Sequence, residues 1–259
     1  MKGLILAGGR GSRLGYLTKV LNKHLLPIYD KPMIFYPIAT LVSAGIKDIA
    51  IVCNKSDIST FEKLLMNFDA LNISFSLIEQ KNEKGIPSAI SSASDFLDSS
   101  GTLVILGDNL IYGPFLGKEL KSLENSKGAT CFTKNVSNPE KYGVCEIDLN
   151  DEIRLVEKPT TSNSNLAIIG LYYFDESLLD KLQKIEISER GETEILEVLQ
   201  LFLEEKNLNF KKLHRSSVWF DTGDVDDLLD AANFVKSSQK YSIEKILDPF
   251  EILSAKNFN

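Results

Sequence analysis

The chain has 259 residues, 43% hydrophobic and 25% charged, an ordinary globular composition with length enough for a sizeable core. Its net charge of −7 argues against a general nucleic-acid binder. No apolar stretch approaches the ~18 residues that span a bilayer, and the run from Leu4 to Ala7 breaks at glycine too early for a signal peptide.

The first predicted element is a buried strand over Gly3–Leu6 that empties into Gly8-Gly9-Arg10-Gly11-Ser12-Arg13. A glycine loop carrying arginines can wrap backbone N–H groups and guanidinium charge around a polyphosphate. Its spacing is neither G-x-G-x-x-G nor G-x-x-x-x-G-K-[ST], so neither a dinucleotide-dependent dehydrogenase nor a P-loop ATPase is supported. Residues 1–34 carry Lys2, Arg10, Arg13, Lys19, Lys23 and Lys31 against the single acid Asp30. Such a local cationic patch in an acidic chain suits a small polyanion. Lys23 stands where a loop returns toward the body, and it reads as a phosphate ligand rather than a snorkelling surface lysine. His24 reads as a packing or hydrogen-bonding residue rather than a catalytic base.

A helix is predicted over Met33–Ala44, closed by Gly45. Then come a strand over Asp48–Val52 and an amphipathic helix over Asp57–Met66, with Ser56 or Asp57 as N-cap. A strand over Ile73–Ile78, a helix over Ile86–Leu97 with Pro87 in its first turn, and a strand over Thr102–Leu106 follow. This alternation predicts a right-handed, mostly parallel sheet with helices on both faces. The last of these strands runs into Gly107-Asp108-Asn109, and a carboxylate beyond the carboxyl end of a strand is a ready Mg²⁺ ligand.

The second half is less regular. Strands are predicted over Ala129–Thr133, Val144–Ile147, Ala167–Tyr173 and Asn209–Leu213, with turns at Asn138-Pro139 and Asn150-Asp151, which suggests antiparallel additions to the sheet. In Glu157-Lys158-Pro159 the Glu can grip sugar hydroxyls and the Lys a phosphate, although such a pair is usually a solvated face. Helices are predicted over Thr193–Lys206 and Asp224–Lys236. Between them Val218-Trp219-Phe220 closes on Asp221, so two strand-end aspartates can share one Mg²⁺ if the fold brings them together. Residues 1–240 are expected to form one unit with an embedded substrate lobe at about 109–215. Residues 241–259 form a weakly patterned tail, read as a helix that docks on the body or on a neighbour. Cys53, Cys131 and Cys145 lack metal-like spacing and fit a reducing cytoplasm.

Taken in order, several segments resemble the sugar-nucleotide pyrophosphorylases, and among them the glucose-1-phosphate thymidylyltransferase family. They are Lys2 to Leu14, Leu25 to Ile34, Glu79-Gln80, Leu106 to Asn109, Tyr142 to Val144, Glu157 to Pro159, Gly170 to Tyr172, Ser188 to Glu192 and Trp219 to Gly223. The resemblance implies a Rossmann-like α/β fold with a mixed, mostly parallel central sheet flanked by helices. It also implies the condensation of a nucleoside triphosphate, dTTP first, with a sugar 1-phosphate, glucose 1-phosphate first. The products are an NDP-sugar and pyrophosphate, formed by Mg²⁺-assisted in-line attack on the α-phosphorus. Arg13, Lys23 and Asp108 would be catalytic, and Asp108 and Asp221 would hold the metal. Leu6, Ala7, Gly8, Gly9, Gly11, Ser12, Gln80, Gly85 and Gly107 would line the nucleotide. Asn109, Gly143, Glu157, Lys158, Gly170 and Tyr172 would line the sugar phosphate. A homo-oligomer, commonly a tetramer, and a cytoplasmic location without nucleic-acid or membrane partners are implied as well. Three positions depart from the family pattern: Tyr16, His24 and the run Ile86-Pro87-Ser88-Ala89. UTP, CTP or another sugar phosphate, and a non-catalytic nucleotide-sugar-binding homologue, stay open as alternatives.

Overall fold

A computed structural model describes residues 1–82, 84–147, 152–188 and 191–256. The turn expected at Asn150-Asp151, and Glu189 and Arg190 of the Ser188 to Glu192 segment, lie outside the described residues. In chain order come β1 (Lys2–Ala7), β2 (Pro27–Ile28), β3 (Lys31–Pro32), α1 (Phe35–Ser43), β4 (Asp48–Cys53), α2 (Ile58–Leu65), β5 (Ser74–Glu79) and α3 (Ile86–Ser92). Next are β6 (Thr102–Leu106), β7 (Asn109–Tyr112), α4 (Leu116–Lys121), β8 (Ala129–Asn135), β9 (Gly143–Ile147), β10 (Ile153–Glu157) and β11 (Leu166–Phe174). The chain closes with α5 (Leu178–Leu182), α6 (Ile195–Glu204), β12 (Leu208–Lys212), β13 (Val218–Asp221), α7 (Val225–Gln239) and α8 (Pro249–Lys256).

The main sheet runs β10-β9-β11-β6-β1-β4-β5, with β8 paired to β11 and β12 to β8. Strands β6, β1, β4 and β5 are parallel, as the strand–helix alternation predicts, and β11 joins β6 antiparallel. Strands β1, β4 and β6 read as largely unbroken apolar runs because both faces are covered, whereas the edge strand β5 is only half-buried. Alternate side chains serve opposite cores. Ile5, Ile49, Ile51 and Ile105 pack with Ile38 and Leu41 of α1, whereas Leu4, Ala50, Val52 and Val104 pack with Ile90 of α3 and Leu199 and Phe202 of α6.

One edge of β11 changes partner part-way along. Ala167 pairs with Val144 of β9, whereas Leu171 to Phe174 pair with Ile105 to Thr102 of β6. The register against β8 shifts between Ile168 and Tyr172. The sheet therefore parts beyond the carboxyl end of β6, where two small ribbons are added. Strand β7 pairs antiparallel with β13, and β2 forms a hairpin with β3. Their third, smaller core joins Ile28, Met33, Tyr36 and Leu110 to Ala231 and Val235 of α7.

Two expectations change. Asp57 stands at the N-cap position of α2 but makes no cap hydrogen bond with its side chain. Its carboxylate instead accepts from Asn22 Nδ2 at 2.7 Å and Asn54 Nδ2 at 3.4 Å, tying two loops together. The helix expected over Ile86–Leu97 stops at Ser92, and turns carry the chain onward. The short elements β2, β3, β7, α4 and α5 carry too few residues for a periodic signal.

Helix α8 lies on the α1 side of the sheet. Phe250 stacks on Phe68 with ring centroids 4.5 Å apart and meets Phe35 edge-on at 5.9 Å. Phe250→Ala removes both contacts from a partly buried site and is expected to lower stability by roughly 2 kcal/mol. Urea unfolding checks this: the midpoint should fall at constant slope, and an unchanged midpoint contradicts the docking.

Candidate active site

The site is built where β1 and β6 end. Asn54 Nδ2 donates to the Gly8 carbonyl at 3.0 Å and Asn22 Nδ2 to the Ala7 carbonyl at 3.2 Å, so neighbouring loops hold the glycine segment. A short turn over Lys23–Leu25 follows, held by Asn22, whose Oδ1 accepts from the His24 backbone N–H at 2.9 Å. Lys23 Nζ then reaches Asp108 Oδ2 at 2.5 Å, both side chains about nine-tenths buried.

Asp221 arrives by strand pairing. It lies opposite Asn109 in the β7–β13 register. Thr222 donates to the Asp108 carbonyl from its N–H at 3.0 Å and from its hydroxyl at 2.7 Å. Two carboxylates far apart in sequence are thus brought together. Burial pushes the Asp221 carboxyl up, the Asp108 charge pushes it further, and together they raise it to about 6 against the pull of Arg13 and Lys23. Burial also disfavours the Asp108 charge, but the Lys23 ammonium and the Asn109 amide hold that carboxyl below the ordinary carboxylate range. The arrangement holds negative charge that a divalent cation would relieve. Oxygen-only donors in a pair suit Mg²⁺, which commonly takes one or two carboxylates and completes its shell with substrate phosphate. Among the described residues no group of three or more His, Cys, Asp or Glu gathers at one point.

Two adjoining cavities flank these carboxylates. The first, about 400 Å³, is lined by Leu6, Gly8, Gly9, Ser12, Lys23, His24, Gln80, Gly85 and Asp108. The second, about 410 Å³, is lined by Arg13, Asn109, Gly143, Glu157, Lys158, Gly170, Tyr172 and Asp221. Gly85, Ile86, Leu106 and Glu192 border both. Gly85 has φ +93, and a side chain there would fall on the Thr193 carbonyl, so the wall between the cavities admits only glycine without strain. Glu157 and Lys158, both in the lining of the second cavity, form an ion pair at 3.5 Å.

The structure gathers most of the residues expected at the site and separates three. Ala7 is fully buried in the α1-side core, Gly11 packs on Lys23 and Thr18, and Gly107 packs on His24. None of the three lines either cavity. Tyr142 and Trp219 join the second cavity, with ring centroids 4.9 Å apart. Trp219 is the only tryptophan and stands two residues before Asp221, a signal that was available. Tyr142 offered no such signal outside the resemblance.

Residues 2–238 match the nucleotidyl transferase family. The chain belongs to that family. It is a nucleotidyltransferase. Over 97% of its length it is 39% identical to a glucose-1-phosphate thymidylyltransferase of Mycolicibacterium smegmatis, covering 88% of that protein. A crystal structure from Bacillus anthracis, described as a glucose-1-phosphate thymidylyltransferase in complex with sucrose, superposes with TM-score 0.81. The two are 32% identical, over 90% of this chain and 94% of that one. A UDP-glucose pyrophosphorylase complexed with UDP-glucose superposes with TM-score 0.79 at 25% identity, over 92% of this chain and 98% of that one. The two cavities of this nucleotidyltransferase therefore sit in the fold shared with these proteins. No helix among its described residues is long and apolar enough to cross a membrane.

His24 gives a pH prediction. Burial, then the neighbouring Lys23 cation, lowers its imidazole from the ordinary 6.5 to about 3. Between those values the unfolded chain binds a proton that the folded chain does not, so folding stability contributed by His24 is complete above 6.5 and lost as pH falls. The slope is at most ~1.4 kcal/mol per pH unit. His24→Gln should flatten that part of the stability profile between pH 6.5 and 4 relative to wild type in chemical unfolding. Parallel profiles would show that His24 takes up its proton in the folded state.

Proposed function

We propose that this nucleotidyltransferase takes dTTP in the first cavity and glucose 1-phosphate in the second, and releases dTDP-glucose and pyrophosphate. The observation that carries the reading is the pair of buried Asp108 and half-buried Asp221 at the junction of two cavities, with Lys23 on one side and Arg13 on the other. The relatives named for glucose 1-phosphate and thymidylyl transfer support the choice of substrates.

A phosphate oxygen of the sugar 1-phosphate attacks the α-phosphorus in line, a P–O bond forms, and the bond to the pyrophosphate oxygen breaks. No proton needs to be moved and no covalent enzyme intermediate is required, so the protein contributes positioning and charge neutralisation. The Gly8–Gly9 backbone and Ser12 face the triphosphate, and Gln80, packed against Gly8, faces the base together with Gly85. Lys23 lies beside the departing pyrophosphate and Arg13 beside the charge that builds at the α-phosphate. Lys158 holds the sugar phosphate, and Glu157 accepts from sugar hydroxyls, with Gly143, Gly170 and Tyr172 completing the pocket. Asp108 and Asp221 would hold Mg²⁺, which supplies charge neutralisation on the phosphate oxygens when bound. The substrates and the three free, buried cysteines favour the cytoplasm, and the homo-oligomer implied by resemblance belongs to the same reading.

Pyrophosphate release across a matrix of nucleoside triphosphates and sugar 1-phosphates tests the reading. Turnover is expected with dTTP and glucose 1-phosphate, and none with that pair would overturn the assignment. Arg13→Ala removes a cation aimed at transition-state charge and should cost ~10²–10³ in kcat; an unchanged kcat would remove Arg13 from the chemistry. Asp221→Asn should raise the Mg²⁺ concentration for half-maximal rate about tenfold or more, as loss of a metal ligand does. An unchanged requirement would place the metal elsewhere.

A further inference from the structure

Asn109 is almost wholly buried, at 2% exposure, and its side-chain amide is a junction. Its Oδ1 accepts from the Trp219 indole N–H at 2.6 Å and from the Gly170 backbone N–H at 3.2 Å. Both partners can only donate, so Oδ1 is assigned without ambiguity and both its lone pairs are used. The other end of the amide is then necessarily Nδ2, and it donates to Asp108 Oδ1 at 3.1 Å. Asp108 Oδ2 is taken by Lys23. Each oxygen of the proposed metal ligand thus has one fixed donor, and the one on Oδ1 is oriented by the indole.

We propose that Trp219 is a positioning residue that acts through Asn109 on Asp108. The inference rests on the functional reading above. With the indole N–H in place, a flipped amide would set its NH2 donor against the indole N–H, leave the Gly170 N–H unpaired and place oxygen against oxygen at Asp108. Gly170 belongs to the same device. A side chain there would meet Leu106 and come within 2.8 Å of Asn109 Oδ1, so only glycine lets its N–H reach the amide. The irregular register of β11 at this point is what aims that N–H inward. One amide hydrogen of Asn109 remains, and Asn109 borders the second cavity, so the sugar phosphate meets a donor and not an acceptor there.

Trp219 being the only tryptophan, its indole gives a single ¹H–¹⁵N peak. Asn109→Ala is expected to move that peak upfield and speed its exchange with solvent. Mn²⁺ binding, followed by electron paramagnetic resonance, is the functional readout. Trp219→Phe keeps a ring against Tyr142 but lacks the N–H, and it should weaken Mn²⁺ binding ~10-fold. The double variant should bind no more weakly than Asn109→Ala alone, since the indole acts through the amide. If Asn109→Ala does not fold, Asn109→Ser takes its place in the cycle. Wild-type Mn²⁺ affinity in Trp219→Phe, or effects that add in the double variant, would overturn the proposal. Absence of nucleotidyl transfer by the wild type would instead count against the functional reading, because the Mn²⁺ and indole measurements do not depend on turnover.

Discussion

The pairing of β7 with β13 is the constraint on which the site depends. It places Asp221 against Asn109 and uses Thr222 to grip the Asp108 carbonyl twice. Two carboxylates held this way repel one another in a partly dry setting, where such repulsion is weakly screened. The fold tolerates them because Lys23 neutralises one directly and Arg13 lies beside the other. Burial, with the Asp108 charge beside it, still raises the Asp221 carboxyl. In the proposed reading a bound cation would relieve both effects.

The rest of the molecule arranges access to this pair. Parallel strands β6, β1 and β4 end together, which is where ligands collect in open α/β sheets. The change of partner along β11 then parts β9 from β6, so a second cavity opens beside the first. The two cavities are separated by a wall as thin as Gly85 and Leu106. In-line transfer needs reacting atoms within van der Waals reach before reaction, and only adjoining cavities give that.

Much of this was legible in the chain. The apolar runs of β1, β4 and β6, with helical patterns between them, specify the parallel core because burial on both faces leaves no polar alternation to misread. Gly8 to Arg13, Lys23 and Asp108 read together as one site in the sequence, and the structure brings Gly8, Gly9, Arg10, Ser12, Lys23 and Asp108 around one cavity. What stayed hidden depends on contacts across sequence. Asp57 has the residue type of a helix cap, yet Asn22 from another loop and Asn54 three residues upstream claim its carboxylate. The ribbon of β7 and β13 is four residues long on each side, too short for periodicity to reveal its pairing. Ala7 and Gly107 belong to the right segments but face the core and His24, which spacing along a strand end does not settle.

His24 shows how a departure from a family pattern can be absorbed. A histidine beside a lysine and close to phosphate would, if protonated, add a second cation to the site. Here the ring is buried behind Gly107, and Asn22 occupies its Nδ1 at 2.7 Å, while Lys23 disfavours its charge. The imidazole is therefore neutral across the working range of pH and adds no charge to the Lys23 and Arg10 cations that line the first cavity. A neutral ring keeps Lys23 free to divide its charge between Asp108 and an incoming phosphate. Were the ring cationic, it would compete with Lys23 for Asp108 and draw the aspartate away from a metal. Electrostatic balance at Asp108 thus favours a residue at 24 that is polar and uncharged, a condition the buried histidine meets.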